Sequence, residues 1–170
     1  PSTTTATLLM DGRVLVVGNY NSSQVGKASA EIYDPVSGSW SMTEPLFNHG
    51  SLHTATLLSD GRVLVVGGCE VEGEGGASMR AELFEPSTNA WVETESLTEP
   101  RCGHTGILLG NGYVLIAGGV GADGEFLSSA LIYNPNISQW LGIGDMQTPR
   151  AEAASVLMTN GRVLVTGGLA

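Results

Sequence analysis

One segment recurs four times along the chain, as DGRVLVVGN from Asp11, DGRVLVVGG from Asp60, NGYVLIAGG from Asn111 and NGRVLVTGG from Asn160. Its turn glycines Gly12, Gly61, Gly112 and Gly161 are 49, 51 and 49 residues apart. Such a period means stacked copies of one supersecondary unit, none of which can bury its apolar surface alone. Two further series keep step, the aromatics Tyr33, Phe84 and Tyr133 and the tryptophans Trp40, Trp91 and Trp140. Aromatic to tryptophan is always 7 residues and tryptophan to the next turn glycine 21, whereas turn glycine to aromatic is 21, 23 and 21. Length variation is therefore confined to one loop per unit.

Each unit reads as four short strands. An Asp-Gly or Asn-Gly dipeptide joins the first strand (for example 54–58) to the second (62–66), and predicts a two-residue type I′ turn. The second strand is apolar at consecutive positions, Val63 to Val66 and Val114 to Ala117, so both of its faces need cover. The third strand stops at Pro35, Pro86 or Pro135, which cannot donate to a ladder, and the fourth is headed by Trp. No stretch of useful length has helical periodicity. Antiparallel units that are apolar on both sides must stack face to face around an axis, as in a β-propeller.

With a second strand ending in Gly-Gly, an aromatic on the third and Trp on the fourth, the chain resembles the kelch repeat. The pairs are Gly67/Gly68, Gly118/Gly119 and Gly167/Gly168, with Gly18/Asn19 as a departure in the first unit. The resemblance implies an all-β fold, a kelch-type propeller arc of about three and a half four-stranded antiparallel blades. Their bounds are about 1–48, 49–99 and 100–149, with a half blade at 150–170. Kelch domains usually have six or seven blades. The exposed faces of an open arc therefore expect cover, from further blades or by self-association. The function implied is a non-catalytic binding module whose loop face recognises a protein, peptide or glycan, with no cofactor. The alternative is part of a propeller enzyme, resembling copper radical oxidases or sialic acid mutarotases. A copper site of the first kind needs His, Tyr and a Tyr-Cys crosslink, and Tyr33 and Tyr133 read as structural.

Seventeen acidic residues against seven basic ones give a net charge of -10, which repels phosphate backbones and argues against nucleic-acid binding. No apolar run reaches the length of a membrane span. The opening PSTTTATLLM has neither the basic start nor the cleavage pattern of a signal peptide. The DGRVLVVGG style resembles kelch arrays of secreted or cell-envelope proteins; compartment is otherwise open. Cys69 and Cys102 have no metal-ligand spacing. They fall at the same end of neighbouring units, and whether they are bonded is left open.

Binding candidates concentrate in the variable loops, since loops on a fixed scaffold are where recognition usually resides. They are Asn19, Tyr20 and Asn21 in the first loop, Glu70 and Glu72 in the second, and Asp123 and Glu125 in the third. Tyr20 stands out because it does not recur in register. Arg101 and Arg150 each follow a Pro at the start of a first strand, and by the kelch resemblance would clamp carboxylates. Local pairing of these two arginines with Glu99, Glu152 or loop carboxylates is the competing reading. His49 replaces the Pro seen at Pro100 and Pro149, and His53 and His104 share a strand position that suits packing or hydrogen bonding. No metal site is read. The diglycines, the aromatics and the three tryptophans are structural, with the rings expected in the core.

Overall fold

The computed structural model describes residues 4–20, 28–46, 50–69 and 76–170. Among the described residues every element is a β-strand, and within each sheet consecutive strands are antiparallel neighbours. The first sheet contains β1 (Thr5–Leu8), β2 (Val14–Tyr20), β3 (Ala28–Asp34) and β4 (Ser39–Met42). The second contains β5 (Thr54–Leu57), β6 (Val63–Val66), β7 (Ala81–Glu85) and β8 (Ala90–Glu93). The third contains β9 (Thr105–Leu108), β10 (Val114–Ala117), β11 (Ala130–Asn134) and β12 (Gln139–Ile143). A hairpin of β13 (Ala154–Leu157) and β14 (Val163–Thr166) follows. β1 touches β5, β5 touches β9, and β9 touches β13, so the first strands line the inner edge of a series of blade-like sheets.

The repeated hairpin turn differs from the expected type I′. Positive φ occurs at Gly12, Gly61, Gly112 and Gly161 but not at the Asp or Asn before them. Leu58 N–H donates to Arg62 O and Gly61 N–H to Leu58 O, which encloses three loop residues. That is a type I turn followed by a left-handed glycine. The physical reason lies in the Asx side chain. Asp11, Asp60, Asn111 and Asn160 each accept the N–H two residues on, at 3.0–3.1 Å. This Asx turn caps the loop with a negative φ at the acidic or amide residue.

Three interfaces join the sheets, and each uses the same register positions. Leu15, Val17, Ala30 and Ile32 of the first sheet meet Val63, Val65 and Phe84 of the second. Leu64, Val66, Ala81 and Leu83 then meet Val114, Ile116 and Tyr133 of the third. Finally Leu115, Ala117 and Ala130 meet Val163 of the hairpin. β6 and β10 are consequently buried at all four positions, whereas β14 alternates between half-buried and exposed because only one of its faces is covered.

Each aromatic lies against its tryptophan, with ring centroids 4.9–5.0 Å apart. Phe84 and Tyr133 are fully buried, and Trp140 donates from Nε1 to Glu95 O at 2.8 Å. The first blade departs from the expected core placement. Trp40 is 55% exposed and Tyr33 only half-buried, because among the described residues no sheet covers that side of β1–β4.

A polar ladder runs along the inner strands. Thr5 Oγ1 bonds His53 Nε2 and Thr54 Oγ1 bonds His104 Nε2, each at 2.9 Å, and Thr105 Oγ1 donates to Ser155 Oγ. Where Ala153 replaces the histidine, Ser155 takes its place from the position that is Gly106 one blade earlier. Gly106 leaves room there, since a Cβ would lie 3.0 Å from Thr54 Oγ1.

Candidate binding face

The glycine pairs end the second strands and begin the long loops. Gly67 and Gly68 have φ of 64° and 115°, and Gly118 and Gly119 of 68° and 106°. A Cβ on Gly67 would collide with the carbonyl of Arg101, and one on Gly118 with that of Arg150. Gly68 N–H donates to Arg101 O and Gly119 N–H to Arg150 O, at 3.0 and 2.9 Å. Each of these two pairs is thus a joint where the backbone of one blade touches the entry to the next.

The third pair is placed differently. Gly167 and Gly168 keep positive φ, 70° and 85°, yet both are exposed rather than packed into a joint. A Cβ on Gly167 would meet nothing within 4 Å, whereas one on Gly168 would still strike the carbonyl of Ala151. The physical reason is position in the stack. No blade follows the hairpin among the described residues, so a side chain at Gly168 would meet only the entry to its own hairpin and one at Gly167 nothing within 4 Å.

A disulfide between Cys69 and Cys102, with Cα atoms 5.2 Å apart, crosses the first of the two closed joints. Cys69 lies just beyond β6 and Cys102 just before β9, so the bond staples the second blade to the third.

Arg101 does not serve as an exposed carboxylate clamp; its side chain is fully buried. Nη1 donates to Gly118 O and Ser129 O, and Nη2 to Glu99 Oε2 and Ser129 Oγ, at 2.9–3.1 Å. Ser129 Oγ in turn donates to Glu99 Oε2 at 2.7 Å. Burial holds the guanidinium below its ordinary value, against the pull of Glu99. The local reading of this arginine is therefore the right one, since a buried charge persists only when paired and hydrogen-bonded. Arg150 repeats one contact, Nη1 to Gly167 O at 2.7 Å, and is otherwise half-exposed.

The third long loop is fully described. Val120 pairs with Cys102 on one side and Phe126 on the other, and Gly124 N–H closes a tight turn onto Gly121 O. Asp123 and Glu125 project from this turn into solvent beside Phe126, which is 37% exposed. Phe126 is not among the candidates read from the sequence, although the non-recurrence that singled out Tyr20 applies equally to it. Asn21, His49, Glu70 and Glu72 lie outside the described residues, and Asn19 and Tyr20 are placed only as backbone of β2. Among the described residues no group of three His, Cys, Asp or Glu side chains is arranged to hold a metal ion.

The opposite end of the blades carries grooves between neighbouring turns. One of about 290 Å³ is lined by Asp11 and Arg13 of the first sheet's turn and by Asp60, Glu85 and Pro86 of the second sheet's turns. Arg13 spans it, paired with Asp11 at 2.7 Å and donating to Pro86 O at 3.1 Å. The hydrogen bonds from Arg13 hold the Asp11 carboxyl below its ordinary range. At Asp60 burial pushes upward, but the hydrogen bonds from Arg62 outweigh it and the carboxyl again sits low. These cations are already engaged by carboxylates of their own turns, which leaves the long-loop end as the better candidate for recognition.

Compared with known proteins, the chain matches no protein-family model and no curated sequence.

Proposed function

We propose that the chain is a kelch-type propeller arc acting as a non-catalytic binding module, with the long-loop end as its recognition face for a protein, peptide or glycan. The observation that carries this reading is the contrast between the two ends. The turns between first and second strands, at one end, all repeat the Asx bond and the left-handed glycine. Loops at the other end vary in length and sequence on a base fixed by glycine joints and a disulfide. A rigid base with variable loops is how recognition surfaces are commonly built. In the third loop the surface is a partly exposed ring flanked by two carboxylates, which suits a partner offering apolar contact and donors or positive charge.

Glycan and peptide arrays probed with the protein test this. A bound class should lose about tenfold or more in affinity on Phe126→Ala, the range for an aromatic anchor, with unchanged thermal stability. Asp123→Asn with Glu125→Gln should weaken a cationic partner and flatten its salt dependence. Absence of binding on every array, or binding indifferent to these changes, would overturn the proposal.

A further inference from the structure

Two grooves at the turn end of the blades occupy equivalent places, one between the first and second sheets and one between the second and third, and they are not alike. We propose that the second is a binding site for one or two rings of a neutral saccharide, additional to the long-loop face and independent of it.

One contact and two side chains make the difference. In the first groove Arg13 reaches across to Pro86 O at 3.1 Å and straps the turn of one sheet to the next. Its counterpart Arg62 folds back on Asp60, with Nε and Nη2 meeting Oδ2 at 2.9 and 2.6 Å, and makes no bond to Pro135 O, the counterpart of Pro86 O. Met10, whose sulfur stands 3.4 Å from where a Cβ on Gly61 would lie, gives way to Ser59, whose hydroxyl stands 3.7 Å from the same point on Gly112. Ser87 gives way to Asn136. With the strap absent and a shorter side chain at the rim, the second groove holds about 370 Å³ against about 290 Å³ in the first.

The lining of the second groove selects the ligand. Leu58, which is buried, and the half-buried ring of Pro135 supply its apolar part. Around them stand Ser59, Asn111 and Asn136, exposed and uncharged. Asn111 Oδ1 is taken by the Tyr113 N–H at 3.1 Å, which leaves the amide nitrogen to donate outward. Asn136 is anchored through its backbone N–H to Asn134 Oδ1 at 3.0 Å, which leaves its side-chain amide to donate and accept. The Ser59 hydroxyl does both, and Pro135 O accepts. Asp60 is the charged member of the wall, and Arg62 balances it within the same turn, so neither a cation nor an anion meets uncompensated charge. Hydroxyl groups beside C–H faces match this set of donors, acceptors and apolar surface. The volume is near the small end of the range for ligand pockets, about 300–1,000 Å³, which suits a sugar ring or two and excludes a folded segment.

Titration of the isotope-labelled protein with glucose, galactose, mannose and N-acetylglucosamine, up to tens of millimolar, tests the proposal by NMR. At least one sugar should shift the side-chain amide signals of Asn111 and Asn136 saturably. Ser59→Met and Asn136→Ser give the second groove the residues of the first, at exposed positions, and each should weaken that sugar by about tenfold or more with unchanged circular dichroism and melting temperature. Phe126→Ala should leave the titration as it is, which separates this site from the long-loop face. No shift with any of the four sugars would overturn the proposal, as would affinity indifferent to both groove variants. Calcium chloride or sodium phosphate moving the same signals where sugars do not would equally overturn it, by showing an ion site.

Discussion

A methyl group on Gly118 would sit on the carbonyl of Arg150, whereas one on Gly103 would meet nothing closer than Glu152 Cγ at 3.5 Å. Both glycines have positive φ, 68° and 62°. Gly103→Ala should therefore cost only the backbone term, about 1–2 kcal/mol, whereas Gly118→Ala should also push a blade joint apart and cost roughly 3 kcal/mol or more. Urea denaturation of the two variants decides; equal costs would mean that the joint is soft. The second residue-scale prediction concerns His104. Burial, with the Arg101 and His53 charges adding to it, pushes its imidazole down to about 3. Between the ordinary value near 6.5 and that point the unfolded chain binds a proton that the folded chain refuses. Stability is therefore full above about pH 7 and falls as pH drops through this window, by up to about 1.4 kcal/mol per unit. The lowered carboxyls of Asp11, Asp34 and Asp60 add their own loss only below about pH 4. Denaturation from pH 7.5 to 5 should show the slope in wild type and lose it in His104→Gln; equal slopes would refute the assignment.

At the scale of elements, the same strand type has different weight in different blades. Trp140 is 9% exposed and hydrogen-bonded, whereas Trp40 is 55% exposed. Trp140→Ala should cost about 3–5 kcal/mol and Trp40→Ala well under half of that in the monomer, measured by thermal or urea unfolding. Similar costs would show that the first blade is covered in solution. This contrast also marks what the sequence makes legible. Strand order, the Pro stops after Asp34, Glu85 and Asn134, and the double burial of β6 and β10 follow from spacing and from consecutive apolar residues. Exposure of Trp40 was not legible, because periodicity makes all three tryptophans equivalent and only position in the stack separates them. The same holds for Gly167 and Gly168, whose sequence matches the packed pairs but whose place at the end of the hairpin leaves them exposed. The turn type was misread because Asp-Gly satisfies two turn chemistries, and the Asx bond to the Arg13 or Arg62 N–H decides between them. Arg101 was ambiguous for a related reason: its partners Gly118 and Ser129 are distant in sequence, and only the folded blade assembles them.

Across the whole molecule one joint recurs, the end of a second strand against the entry to the next blade. Cys69 and Cys102 occupy that joint between the second and third blades. Val120 and Ala151 occupy the same register between the third blade and the hairpin, where Gly119 N–H to Arg150 O repeats Gly68 N–H to Arg101 O. A double variant, Val120→Cys with Ala151→Cys, should therefore oxidise to a second bond without disturbing the first, and raise stability by up to about 3–4 kcal/mol. Non-reducing peptide mapping of that variant is the most direct measurement. Linked peptides carrying positions 120 and 151, beside the native pair, are the predicted result; two free thiols at those positions would contradict the repeated joint.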